Sequence, residues 1–349
     1  MIEQRKEEHI RIAENERVIS EHNFWDDIQF VHYALPEIDF EQIDCSINLL
    51  SAKLDYPIII SSMTGGTQLA KKINRNLAAA AEKLHLAMGV GSMRAAIEKP
   101  ELSDTFSVIS EFKIPFKLAN IGAPQLINQS KNAFGSGEIE KAITMIEADA
   151  LYIHLNFLQE MIQPEGDRRA KGILKRISEI ASSFPVIVKE TGNGISREIA
   201  LELKDAGVKG IDVGGLGGTS FAAIEYYRAK IINDEEKMNS GNTFWNWGIP
   251  SPASIVYCQV GLPVIGSGGL RNGLDLARAI SMGAVAGGFA RTLLKNADDS
   301  EDSVVKNLSL IIRDLKIAMF LTRSKTVNDL KKARKVIVDP LKPWIDLHA

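Results

Sequence analysis

The stretch FPVIVKETGNGISREIALELKDAGVKGIDVGGLGG, residues 184–218, holds a complete strand–helix–strand unit. An apolar run, Pro185 to Val188, turns polar at Lys189 and Glu190 and leaves through Gly192 and Gly194. REIALELKDAG follows with its apolar positions at helical spacing, and a second apolar run, Val208 to Val213, ends in glycines. A helix between two such strands carries the chain back across the sheet, so the strands run parallel.

The unit recurs on both sides. Apolar runs ending in Gly or polar residues appear as YPIIISSMTGG (56–66), LHLAMGVGSM (84–93), PFKLANIGAP (115–124), ALYIHLNFLQE (150–160), LPVIGSGG (262–269) and MGAVAGGFAR (282–291). Helical patterns such as KINRNLAAAAEKL (72–84) separate them. With the two runs in 184–218, about eight units fall within ~250 residues, which suits a closed (β/α)8 (TIM) barrel better than an open doubly wound sheet. Residues 1–50 read as an N-terminal arm, 51–300 as the barrel and 301–349 as C-terminal helices completing the same domain. The connection 217–258 is longer than a usual βα loop and is expected to be a lid or binding loop. The basic stretch KTVNDLKKARK (325–335) reads as a solvated helix face.

Composition limits the partners. The 349 residues are 45% hydrophobic and 24% charged, enough for a large core, and a net charge of -3 gives no general attraction to nucleic acid. Only Cys45 and Cys258 are present, neither in a C-x-x-C pair, so the chain reads as a protein of the reducing cytoplasm without a thiolate metal site. The charged N-terminus does not suit a secretory signal, and no apolar run approaches the ~18 residues a membrane span needs. A small-molecule ligand is expected.

In such a barrel the chemistry lies where the strands end. GSGGLRNG (266–273) and GGFAR (287–291) put glycines and Arg291 at the ends of strands seven and eight, where backbone N–H groups can cradle a phosphate. Either loop alone could be no more than a tight turn; both together with Arg291 favour a phosphate. Lys189, closing strand five across the mouth, would face a flavin ring and favour negative charge on it, so the cofactor is expected to be FMN.

As a set, RKEEH (5–9), SSMTGGT (61–67), GVGSMR (89–94), LANIGA (118–123), HLNFLQE (154–160), PVIVKETGNG (185–194), GGLGGTSFAAIE (214–225) and GSGGLRNG are distinctive. They resemble, in order, the type 2 isopentenyl-diphosphate isomerases, FMN-dependent barrels that interconvert isopentenyl and dimethylallyl diphosphate. The resemblance runs from residue 5 to about residue 291. It implies that Met63, Thr64, Gly65, Ser92, Asn120, Lys189 and Thr219 contact the flavin. Gly268, Gly269, Leu270, Arg271, Ala290 and Arg291 would hold its phosphate. Arg5, Lys6, Ser92, Met93, Arg94, His154, Asn156 and Gln159 would face the substrate, His9 would complete the arm motif there, and Glu160 would bind Mg2+. NADPH as reductant of the flavin and a homo-oligomer, tetramer or octamer, are implied too. Phe221 stands where many members carry Trp.

Isomerising an alkene adds a proton at one carbon and removes one at another with no net oxidation, so proton carriers are needed. The flavin is expected to supply one, with Lys189 steadying its charge; Gln159 and Glu225 complete the catalytic set expected from the sequence, Glu225 being equally readable as a helix-surface residue. His154, Asn156 and Gln159 are expected to grip phosphate oxygens, and a lone Glu160 suits an ion that keeps most of its waters. The arm is expected to order when diphosphate binds, although EQRKEEHIRIAENER (3–17) could equally be a solvated, charge-laced helix. The alternative is an FMN-dependent α-hydroxy-acid oxidoreductase, which would want a histidine base in the strand-six loop; that loop reads GGLGGTS, with Leu216. No cysteine follows a strand in a Gly-rich loop as a nucleophile of the IMP-dehydrogenase kind would. A flavin-binding sensor without chemistry would have no use for Arg94, Gln159 and Glu160 at the mouth.

Overall fold

The computed structural model describes residues 2–347. Eight parallel strands close into a barrel: β1 (Ile58–Ile60), β2 (Ala87–Gly89), β3 (Phe116–Gly122), β4 (Ala150–Leu155), β5 (Val186–Glu190), β6 (Gly210–Asp212), β7 (Val264–Ser267) and β8 (Ala286–Phe289). All eight apolar runs are strands of this one ring, and β8 closes on β1 through Gly287↔Ile58, Gly288↔Ile59 and Phe289↔Ile60. The TIM-barrel reading holds.

Alternation along each strand sorts the side chains. Ile58, Ile60, Leu151, Ile153, Val186 and Val188 face the surrounding helices, while Ile59, Leu118, Tyr152, Ile187 and Ile265 fill the interior. Continuing the inward face two residues toward the C-terminal end gives Ser61, Asn120, His154, Lys189 and Ser267, with Asp212 on the inward face of β6. The same period of two that makes the core apolar thus sets a polar layer at the mouth.

Six of the surrounding helices are α1 (Ile2–Asn15), α2 (Gln68–Lys83), α3 (Phe157–Ile162), α4 (Phe221–Ile231), α5 (Arg291–Asp299) and α6 (Glu301–Leu321). α2 shows how locally they are specified: the Thr67 hydroxyl accepts the Ala70 N–H, and Ile73, Leu77 and Ala81 lie on its buried stripe.

The chain before β1 wraps the barrel rather than standing off as one arm. α1 crosses the mouth; residues 20–26 press on the β7 loop, where Asn23 Nδ2 donates to the Gly269 carbonyl at 2.9 Å and Trp25 Nε1 to that of Gly268 at 2.9 Å. Ile28–Phe30 pairs antiparallel with Lys335–Ile337 from the far end of the chain. The hairpin Ile47–Leu49/Ala52–Leu54 then puts Leu49 and Leu54 into the interior cluster and closes the opposite end.

The connection 217–258, expected to be a lid or binding loop, lines the cavity with Gly217, Gly218, Thr219, Phe221 and Ile224 but is not a loose lid. It is largely helical: α4 buries Ala222, Ala223, Ile224 and Ala229, a second helix, Glu235–Thr243, packs on it, and Ser251–Tyr257 leads toward β7. Trp245 Nε1 ties it to the Ile19 carbonyl at 3.0 Å. The apolar residues spaced through SFAAIEYYRAKII can bury a helix face, which a mobile lid would leave wet.

Candidate active site

The inward polar layer floors a cavity of about 770 Å3, within the ~300–1,000 Å3 range of small-molecule sites. Its β7–β8 side is built from backbone. Gly268 and Gly269 have φ of 95° and 82°, and a Cβ on them would sit 2.3 Å from the Gly215 carbonyl oxygen and 2.4 Å from that of Gly217. Only glycine fits there. α5 starts alongside, with Ala290 at its N-cap and no side chain satisfying its first N–H groups. Arg291 is partly buried, its Nε donates to the Ala13 carbonyl at 2.7 Å, and burial pulls its pKa down. No carboxylate of the described residues pairs with it. An uncapped helix N-terminus beside an unpaired guanidinium fits a phosphate. Arg271 is committed elsewhere: its Nε donates to Asp275 at 2.8 Å and its Nη1 to Asp26 at 2.9 Å, which raises its pKa, and its backbone N–H also goes to Asp275.

Met63, Thr64, Ser92, Asn120 and Thr219 line the cavity, as do Leu270 and Ala290. Gly65 does not; a Cβ there would lie 2.0 Å from the Phe106 ring, so it lets the loop pass that ring. The hydroxyls of Ser61, Ser62 and Thr64 are buried without a partner among the described residues, a polar complement suited to a ligand with many acceptors such as FMN. Lys189 donates to the Glu190 carbonyl at 3.0 Å, stands next to Asp212 in the strand register and forms no ion pair among the described residues. Burial raises the Asp212 carboxyl, against the pull of Lys189.

Across the mouth α1 supplies Arg5, Lys6 and His9. The Lys6 ammonium donates to the Ser92 carbonyl at 3.3 Å, and burial together with the Arg5 and Arg94 charges pulls its pKa down to about 7. Arg94 reaches the same corner while pairing with Glu98 at 3.0 Å and Asp167 at 2.9 Å. Met93 lies in the core instead of on the cavity, its N–H donating to the Asn120 carbonyl at 2.9 Å.

The β4 cluster has an internal logic the sequence did not disclose. Asn120 Nδ2 donates to the Val90 carbonyl at 3.1 Å, which turns its Oδ1 toward His154 Nδ1 at 2.8 Å. Burial, Lys189 and Lys6 push the His154 pKa down to about 3, so the neutral ring donates through Nδ1 and offers Nε2 as an acceptor. To donate to a phosphate oxygen it must first take up a proton. Asn156 Nδ2 donates to Glu160 Oε1 at 2.8 Å, leaving Asn156 Oδ1 buried without a donor among the described residues; Gln163 Oε1, beside Glu160, likewise has none among them. Turned this way, the Asn156 carboxamide suits a cation better than the phosphate oxygens expected of it. Two orphan carboxamide oxygens next to a carboxylate are hard ligands of the kind Mg2+ takes. Gln163, three residues past Glu160, is legible in retrospect from that spacing; Asp212 is legible as the one carboxylate in the β6 run.

Glu225 does not line the cavity. It sits behind Gln159, its side chain fully buried. Its Oε1 accepts from Gln159 Nε2 at 3.0 Å and His9 Nε2 at 2.9 Å, and its Oε2 from Arg228 Nη1 at 2.7 Å. Burial works to raise its pKa, but His9, Arg228 and Gln159 outweigh it and hold the carboxyl at about 2. Phe221 lies edge-on to His9, ring centroids 6.3 Å apart.

Three comparisons bear on this geometry. The FMN-dependent dehydrogenase family matches residues 106–337. Proteins named isopentenyl-diphosphate delta-isomerase from Picrophilus torridus and Thermoplasma volcanium are 61% and 60% identical, covering 100% and 99% of this chain and 100% of each relative. The one from Archaeoglobus fulgidus is 47% identical over 99% of this chain and 98% of its own. Among solved structures, a mandelate oxidase variant with an FMN adduct superposes with a TM-score of 0.62 at 15% identity, covering 95% of this chain and 92% of that one. A flavocytochrome b2 variant with pyruvate superposes at 0.64 and 16%, covering 98% and 84%; at such identities these two attest the fold.

Proposed function

Because the chain belongs to the FMN-dependent dehydrogenase family and, within it, to the isopentenyl-diphosphate delta-isomerases, we propose that it interconverts isopentenyl and dimethylallyl diphosphate in isoprenoid biosynthesis on a bound FMN. The observation that carries the reading is a pair of separate anion sites in one cavity. One is the α5 N-terminus with Arg291, suited to the flavin phosphate; the other is the Arg5, Lys6 and Arg94 corner, suited to a substrate diphosphate. A hydroxy acid, with its single carboxylate charge, has no need of three cations at the second site.

When bound, FMN supplies a ring able to pass a proton to and from carbon. The chain's own groups do the rest. Lys189 offers a fixed charge to the ring, and Ser61, Ser62 and Thr64 offer hydroxyls. Arg5, Lys6 and Arg94 grip the diphosphate, whose charge favours protonation of His154 and lets Nε2 join them. Glu160, with Asn156 Oδ1 and Gln163 Oε1 alongside, would hold Mg2+, which would supply positive charge to offset that of the diphosphate. Gln159, held by Glu225, orients the alkene end, and α1 keeps water out. NADPH is the proposed source of electrons for the flavin, because the isomerisation itself provides none. Two buried free thiols agree with a cytoplasmic protein, and the exposed pair Phe244 and Trp247 with a homo-oligomer, tetramer or octamer.

The test is isopentenyl diphosphate in D2O with FMN, NADPH and Mg2+, read for dimethylallyl diphosphate and deuterium incorporation; the same preparation should sediment as more than one chain. Lactate oxidation in place of isomerisation would support the α-hydroxy-acid alternative and sink this reading.

Lys6 adds a pH dependence. With its pKa near 7 in the free protein, it is charged below that pH and neutral above. The kcat/KM for the diphosphate should therefore fall above about pH 7, by up to about tenfold per unit. Lys6→Arg, charged throughout, should flatten that limb. An alkaline limb unchanged in the arginine variant would take Lys6 out of substrate binding.

A further inference from the structure

We propose that Arg228 is the positioning residue that latches the N-terminal helix over the site and, through the same guanidinium, holds the Gln159–Glu225 pair in register. The inference rests on the isomerase reading and deepens it.

Arg228 stands on α4, 7% exposed, and each of its nitrogens serves a different segment. Nε donates to Glu8 of α1 at 3.0 Å, Nη2 to Glu165 of the loop after α3 at 3.3 Å, and Nη1 to Glu225 of α4 at 2.7 Å. One planar cation thus ties together the arm, the loop that follows the β4 cluster, and the carboxylate behind Gln159. A lysine could not reach three carboxylates in one plane.

Charge shows why the latch is needed. Glu8, Glu165 and Glu225 converge on one guanidinium, Glu225 fully buried and the other two partly exposed. His9 relieves only Glu225, to which it donates, and burial lowers its own pKa. Arg5 is a further cation acting on Glu165 and His9. Without Arg228 the three carboxylates would repel, and Glu8 and Glu165, which lie outside α4, would move apart. α1 would swing off the mouth and take Arg5 and Lys6 with it. Glu225 would lose its counter-charge, and Gln159 the acceptor that orients its amide. Closure and orientation are therefore one event, and substrate that draws Arg5 and Lys6 inward tightens the grip on Gln159.

The experiment uses the full chain loaded with FMN, reduced and with Mg2+. Glu8→Gln and Glu165→Gln each weaken one strand of the latch at its half-exposed end and should raise KM for isopentenyl diphosphate by about two- to fivefold with kcat little changed. Arg228→Gln should raise KM by more than about 100-fold and lower kcat as well, because it strips a buried partner from Glu225. Arg228→Lys should recover kcat in part, by keeping a charge at Glu225, and leave KM high. Trypsin cleavage after Arg17, the exposed arginine just beyond α1, is measured without substrate and should quicken by about tenfold or more in Arg228→Gln. That readout needs no catalysis, so an inactive wild type would sink the isomerase reading while the latch could still be seen. Wild-type cleavage and wild-type KM in a folded, FMN-loaded Arg228→Gln overturn the latch; should that variant not fold, unchanged KM in both glutamate variants overturns it equally.

Discussion

Glu225→Gln should lower kcat by about 10²–10⁴-fold while leaving the flavin spectrum and FMN affinity of the protein as they were. The substitution keeps the shape and removes the charge. In the native site both carboxylate oxygens accept, from Gln159 and His9 at one and from Arg228 at the other. A carboxamide accepts at one end only, so its NH2 faces either Arg228, a fixed donor, or Gln159 and His9, which must then turn over to accept. No water can reach this side chain to repair the mismatch, and Gln159 must swing away or lose its partner. One unsatisfied buried donor also costs about 1–3 kcal/mol of stability, so the melting temperature should fall while the barrel stays folded. Glu225 lies outside the cavity wall, hence the flavin should not notice. A kcat within about threefold of wild type, in protein that binds FMN normally, would mean that Gln159 needs no orientation from Glu225. The carboxyl is held at about 2, so the wild-type effect should not itself titrate between pH 5 and 9.

The second large effect concerns the cofactor. Arg291→Ala should weaken FMN binding by about 10–150-fold, the range of one charge-assisted hydrogen bond, and leave riboflavin binding unchanged. Arg291 brings an unpaired, half-buried charge to the uncapped start of α5, and a phosphate is the group that gains from both. Riboflavin shares the ring and lacks the phosphate, so it separates this contact from any loosening of α1 after loss of the bond to the Ala13 carbonyl. Equal loss of both ligands would show that Arg291 serves the arm and not the phosphate. The corresponding change at Arg271 should be milder for FMN, because its guanidinium is spent on Asp26 and Asp275.

The barrel is legible in the order of residues alone. Ile58–Ile60, Val186–Val188 and Val264–Ile265 read as strands because apolar side chains on both faces need burial on both faces, and the helices between them make the sheet parallel. Polar residues at strand ends are legible for the same reason: Asn120, His154 and Lys189 each break an apolar alternation where the strand meets the mouth. Local order along the chain carries that information.

What the order of residues could not carry is which side chain satisfies which. Arg271 and Arg291 read alike as phosphate arginines until Asp26, 245 residues away, claims one of them. EQRKEEH is a solvated helix or the roof of an active site, and the choice rests on Arg228 donating to Glu8 across 220 residues. Met93 and Gly65 sit within cavity-lining stretches yet are packed out of the cavity, against the core and the Phe106 ring. Periodicity reports burial, which a residue shares with its near neighbours. Hydrogen bonds and ion pairs are contracts between specific atoms, and only the closed barrel brings those atoms within about 3 Å of each other.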